Sequence, residues 1–166
     1  MPTPVPSAYS RMQIRLHWLV FGLLILQYLL HEPITEAFDL VEDGLSPAFS
    51  PLVAAHVFGG FLIFVLAAAR LYIRSERGVP PFAETDPPLR RMAAQITHYS
   101  LYALLIAMPV SGAVAWFRAN EAAAEAHEVM RVVLLALIAL HVVAALYHQF
   151  VLKDGLMQRM RRGDSV

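Results

Sequence analysis

The sequence predicts an all-α membrane protein: a four-transmembrane-helix antiparallel bundle with both termini cytoplasmic. Three observations predict it. Apolar residues make up 58% of the 166 residues and charged residues 16%, against roughly 45–50% and about 25% in soluble domains. Four runs are apolar enough to cross a hydrocarbon core, which needs about 20 helical residues. Basic residues also alternate in density between the segments that join those runs. The length suits one domain, read as residues 1–166 with spans at about 14–31, 52–73, 92–117 and 129–152.

The first span centres on Leu16 to Leu30 (LHWLVFGLLILQYLL), with Arg11 and Arg15 before it. A signal peptide has a similar outline, but no small-x-small cleavage pattern follows and His17 lies inside the run, so the segment is read as retained. Pro47 and Pro51 punctuate the entry to the second span, Leu52 to Ile73. Pro80, Pro81, Pro87 and Pro88 then mark an extended connection to the third, Met92 to Phe117. The fourth runs from Val129 to Leu152 after a short outer loop, Arg118 to Glu128. None of the runs alternates with the period of a strand, and four strands would not close a membrane barrel.

All of the 13 basic residues except Arg118 and Arg131 fall at the N-terminus, between spans two and three, or in the tail. Those two stand among Glu32, Glu36, Asp39, Glu42, Asp43, Glu121, Glu125 and Glu128. The positive-inside tendency therefore puts both termini in the cytoplasm and the acidic loops outside. A formal net charge of zero leaves no basic field for nucleic acid. The lack of cysteine excludes disulfides, thiolate metal sites and covalent Cys-x-x-Cys-His haem attachment.

Seven histidines in so apolar a chain are the conspicuous feature. An ionisable side chain is costly in lipid and usually faces the bundle interior, so depth is informative. His17 and His98 fall near the inner starts of spans one and three, and His56 near the outer start of span two. Span four carries His127 at its outer end, then His141, then His148 near its inner edge. The 14-residue step from His127 to His141 is about 21 Å of helix, with the two rings within roughly 40° of one face. His127 is thus level with His56, and His141 with His17. Two facing neutral imidazoles suit the axial positions of haem b, which needs no cysteine. Gly22, Gly59, Gly60, Ala144 and Ala145 would leave room beside them. A haem-free, His-based transporter of zinc, copper or nickel is the alternative, although no span has a carboxylate ladder.

The segments YSRMQIRLHW (Tyr9 to Trp18), AARLYIR (Ala68 to Arg74), HYSLYALLIAMPVSG (His98 to Gly112) and LHVVAALYHQFVLKDGLMQRM (Leu140 to Met160) resemble the prokaryotic cytochrome b561 family, over nearly the whole chain. The resemblance implies two b haems with bis-histidine ligation in a multi-pass protein of the bacterial inner membrane. By the same resemblance His17 and His141 would be the axial ligands of the inner haem iron, and His56 and His127 those of the outer. It also implies a ubiquinone site near the inner haem, at positions His98 and His148, with His148 placed to protonate a quinone oxygen.

Arg11, Arg70 and Arg74 are candidates for haem propionates or the quinone head, as guanidinium matches carboxylate, or are simply positive-inside residues. Arg131, within the span near His127, is assigned to an outer-haem propionate. The expected activity is electron transfer from an outer one-electron donor, superoxide first, to ubiquinone. The alternative is a cytochrome subunit relaying electrons between the quinone pool and a periplasmic redox protein. The acidic outer segments do not steer an anion and would suit a basic protein.

Overall fold

The computed structural model describes residues 6, 8–82 and 86–161. Six α-helices follow in order: α1 Arg11–Leu29, α2 His31–Glu42, α3 Pro51–Arg77, α4 Pro88–Arg118, α5 Glu121–Tyr147 and α6 Leu156–Arg159, with a π-helical turn, His148–Leu152, continuing α5. Helices α1, α3, α4 and α5 with its π-helical turn are each long and apolar enough to cross a membrane. Arg162, grouped above with the inner-side basic residues, lies outside the described residues.

Local chemistry sets the ends. Ser10 caps α1 with a reciprocal box: its hydroxyl accepts from Gln13 N–H at 3.2 Å, and the Gln13 side chain accepts from Ser10 N–H at 2.9 Å. This begins α1 at Arg11, earlier than hydropathy alone suggests, and its 19 residues make about 28 Å, close to a hydrocarbon core. Ser10→Ala is expected to cost about 1 kcal/mol and to lower the unfolding midpoint in detergent by about 2–4 °C. Ser50 caps α3, with Pro51 in its first turn, and Pro88 opens α4, places where a missing N–H costs nothing.

Two connections differ from the sequence expectation. The first acidic segment is not a loop but helix α2, which places Ile34, Ala37, Phe38 and Val41 on one face and leaves Glu32, Glu36, Asp39 and Glu42 exposed. The outer loop expected over Arg118 to Glu128 is only the turn Ala119–Asn120. Ala119 is left-handed, with φ 47°, and the Asn120 side chain accepts from Ala123 N–H at 2.8 Å, so α5 starts at once. The alanine-rich stretch after Asn120 favours helix over loop.

Helices α1, α3 and α4 pack in sequence around Val20, Ile63, Ala67 and Leu105, backed by Leu23, Leu24, Leu66 and Ile106. Of the long helices, only α4 packs closely along α5. Helix α5 therefore stands off from α1 and α3, and the histidines fall in that gap. Outward, large side chains such as Phe58, Val65, Val133, Val143 and Phe150 are exposed along the spans. An apolar surface of this extent fits lipid rather than water.

Candidate functional site

At the inner end, where α1 begins and α5 finishes, the rings of His17 and His141 face each other with centroids 6.2 Å apart. His98, on α4, meets the edge of His141 at 5.3 Å. The Arg70 guanidinium reaches Nδ1 of His17 at 3.0 Å and lies 5.5 Å over the Tyr102 ring. Arg74 lies over Tyr99 at 5.6 Å and Tyr102 at 5.9 Å. Among the described residues no carboxylate pairs with either arginine. Burial pushes the Tyr9 phenol up from its usual pKa, and the nearby Arg74 only partly offsets it.

At the outer end His56 and His127 face each other with centroids 6.5 Å apart. They line a cavity of about 570 Å³ with Gln27, Gly60, Gly112 and Leu134, roofed by Ile34 and Phe38 of α2. Its volume falls within the roughly 300–1,000 Å³ of cofactor and ligand pockets.

His127 is fixed from α4: its Nδ1 lies 3.0 Å from the Met108 carbonyl and 3.2 Å from the Ser111 hydroxyl. A carbonyl only accepts, so Nδ1 carries the proton and Nε2 keeps its lone pair for a ligand. Gly112 makes room for this ring, since a Cβ there would stand 3.0 Å from Cε1. Two buried polar atoms lining this region, Nδ1 of His56 and Nε2 of Gln27, have no hydrogen-bond partner among the described residues.

The ring spacing of both pairs suits a metal between them. A metal held between two imidazoles at about 2 Å per nitrogen bond puts the ring centres about 6 Å apart, close to the spacing of each pair. The remaining sequence candidates are spread out. Gly22 and Gly60 have open space beside them, but the free face of Gly59 is filled by the Gln27 amide, which a Cβ would meet at 2.1 Å. Arg131 already holds Glu128 in a two-point ion pair, with Nε to Oε2 at 2.8 Å, and Glu128 also approaches His31. Arg11 stays exposed on the first turn of α1.

His98 touches His141, whereas His148 bonds to Asp154, so the two proposed quinone residues occupy different contacts. The Trp18 indole N–H donates to Met160 O at 3.1 Å and ties the tail under the bundle. Sequence reading missed Tyr102, Gln27, Ser111 and Asp154. For Asp154 the signal was available: it follows the last span directly, six residues from His148.

Four membrane-length helices enclosing imidazole pairs that bridge separate helices have the build of a membrane redox protein. The chain belongs to the prokaryotic cytochrome b561 family, whose model matches residues 8–163. It is 36% identical over 154 residues to cytochrome b562 of Cereibacter sphaeroides, covering 93% of this chain and 95% of that one. To a Yersinia pestis protein named probable superoxide oxidase CybB it is 30% identical over 176 residues, covering 92% and 94%. Cytochrome b561 homolog 1 of Escherichia coli K12 is 25% identical over 175 residues, covering 93% and 97%. The protein is therefore a membrane electron-transfer protein of a haem b family, which sets aside the haem-free transporter.

Proposed function

We propose that the chain binds two b haems, one between His17 and His141 and one between His56 and His127, and couples an outer one-electron donor to ubiquinone at its inner, cytoplasmic end. The observation that carries this reading is the pair of facing imidazoles at each of two depths. Bound there, haem supplies a reversible one-electron iron couple at each depth.

The chain's own residues do the rest. The Met108 carbonyl and Ser111 hold the His127 ring and its tautomer. Arg70 and Arg74, cationic and without a carboxylate partner among the described residues, neutralise propionates or the quinone head. A ligating Nε2 on His17 requires Nδ1 as donor, so Arg70 would exchange its contact with His17 for such an anion. His148 moves a proton to a quinone oxygen. The basic residues at this end argue for both termini in the cytoplasm of a bacterial inner membrane.

Superoxide is the first candidate donor, on the likeness to the protein named probable superoxide oxidase. A second reading, a relay subunit fed by a basic redox protein, is favoured by the exposed acidic face of α2 over the outer cavity. The test is reduction of the purified protein in the presence of ubiquinone, by a superoxide-generating system or by a basic cytochrome c poised reduced. Superoxide-dependent, dismutase-sensitive ubiquinol formation supports the first reading, and reduction by the cytochrome alone supports the second.

The tight fit at Gly112 gives a local check. Gly112→Val is expected to displace His127 and lose the outer haem alone, because the first added carbon already stands 3.0 Å from the ring. The assay is haem per chain by pyridine haemochrome. A variant keeping both haems would remove His127 from the ligand set.

A further inference from the structure

Helix α5 does not end as an α-helix. From His148 to Leu152 it widens into a π-helical turn, a form rare enough that single turns of it tend to mark functional positions. The next residues then reverse sharply: Lys153 is left-handed at φ 53° and Gly155 at φ 75°. A lysine at positive φ is strained where a glycine is not. This bend folds the Asp154 carboxylate back onto Nδ1 of His148.

The carboxylate is held at both oxygens. Oδ2 takes the His148 ring nitrogen, and Oδ1 accepts from Leu156 N–H at 3.0 Å, which opens α6. Burial raises the Asp154 pKa, but the hydrogen bonds from His148 and Leu156 outweigh it and hold the group below its usual value. Helix α6 is itself anchored, through Arg159 to Pro81 O at 3.3 Å and through Met160 O to Trp18. The aspartate is thus a fixed ionised acceptor beside a mostly enclosed histidine, whose side chain is 15% exposed.

We infer that Asp154 is a positioning residue for quinone chemistry: it fixes His148 with Nδ1 protonated, so that Nε2 faces the quinone oxygen and passes it a proton. The inference rests on the quinone reading of His148 and deepens it. An ionised carboxylate only accepts, so the neutral ring must carry its proton on Nδ1 and keep the lone pair on Nε2. Nε2 takes a proton from water at the inner face. The resulting imidazolium is stabilised by the carboxylate, and the Nε2–H bond breaks as the quinone O–H forms. Repeated once, this supplies the two protons of the quinol, while both electrons come from the protein's electron-transfer activity. The logic is that of a carboxylate orienting a general acid-base histidine.

Asp154→Asn separates charge and tautomer from the cap. The asparagine oxygen can still accept from Leu156 N–H, but its NH₂ then faces Nδ1 and turns it into an acceptor. The experiment uses the full-length haem-loaded protein, chemically reduced and mixed with a short-chain ubiquinone in stopped flow. Expected for Asp154→Asn is a maximal reoxidation rate lower by about 10-fold or more, an unchanged half-saturating quinone concentration and an unchanged haem spectrum. Asp154→Glu, which keeps the acceptor charge, is expected to recover most of the rate. In the unmodified protein, ¹⁵N NMR of labelled histidine is expected to show His148 protonated at Nδ1.

A wild-type rate in Asp154→Asn, equal losses in the Asn and Glu variants, or an Nε2-protonated His148 would each overturn the inference. His148→Ala run alongside keeps the two claims apart. A slow His148→Ala with a normal Asp154→Asn overturns the role of Asp154 alone, whereas a normal His148→Ala overturns the quinone reading beneath it.

Discussion

His141→Ala is expected to lower haem content from two per chain to one and to weaken the whole bundle. The His141 ring meets both His17, at 6.2 Å, and His98, at 5.3 Å. It does so from α5, which packs closely on α4 but not on α1. Removing the imidazole takes away one proposed axial ligand and a ring contact across that gap. The cofactor binds only the folded chain, so losing it removes linkage stabilisation of about 4 kcal/mol for haem present at about 1,000 times its Kd. The outer pair, 14 residues away along α5, is expected to keep its haem. The check is pyridine haemochrome per chain together with the unfolding midpoint in detergent. Retention of both haems would rule out His141 as a ligand.

His148→Ala is expected to do the opposite: both haems stay and quinone reduction slows by about 100-fold, the low end of what a positioned acid-base group contributes. His148 follows His141 by seven residues on the same helix, yet its ring contact is with Asp154 and not with the His17 pair. Truncation therefore removes the proposed proton carrier and leaves the proposed axial positions in place. Reduced haem mixed with ubiquinone reports the rate, and the haemochrome reports the content. Loss of a haem in this variant would mean that His148, rather than His141, serves as a ligand from α5.

The frame of the protein was legible because lipid leaves few choices. A run of about 20 apolar residues must be helical to satisfy its backbone, so the four spans followed from hydropathy. The depth of each histidine followed from rise per residue, and the facing of His17 with His141 and of His56 with His127 agrees with that counting.

What escaped notice depends on short-range chemistry that competes with composition, or on contacts distant in sequence. Helix α2 looked like an acidic loop because of its charges, although Ile34, Ala37, Phe38 and Val41 follow helical spacing. Arg131 looked free for a propionate, but Glu128, three residues before it, lies on the same face of α5 and takes the guanidinium first. Arg70 reaches His17 across 53 residues of chain, which no local pattern encodes. Asp154 returns to His148 only because of a π-helical turn and two left-handed residues, and neither is readable from hydrophobic periodicity.

The central claim is two haems on two histidine pairs, and haem stoichiometry tests it most directly. Pyridine haemochrome of the detergent-purified protein, expressed with ample haem supply, is expected to give b-type haem at two per chain. One haem or none per chain would contradict the two-site assignment.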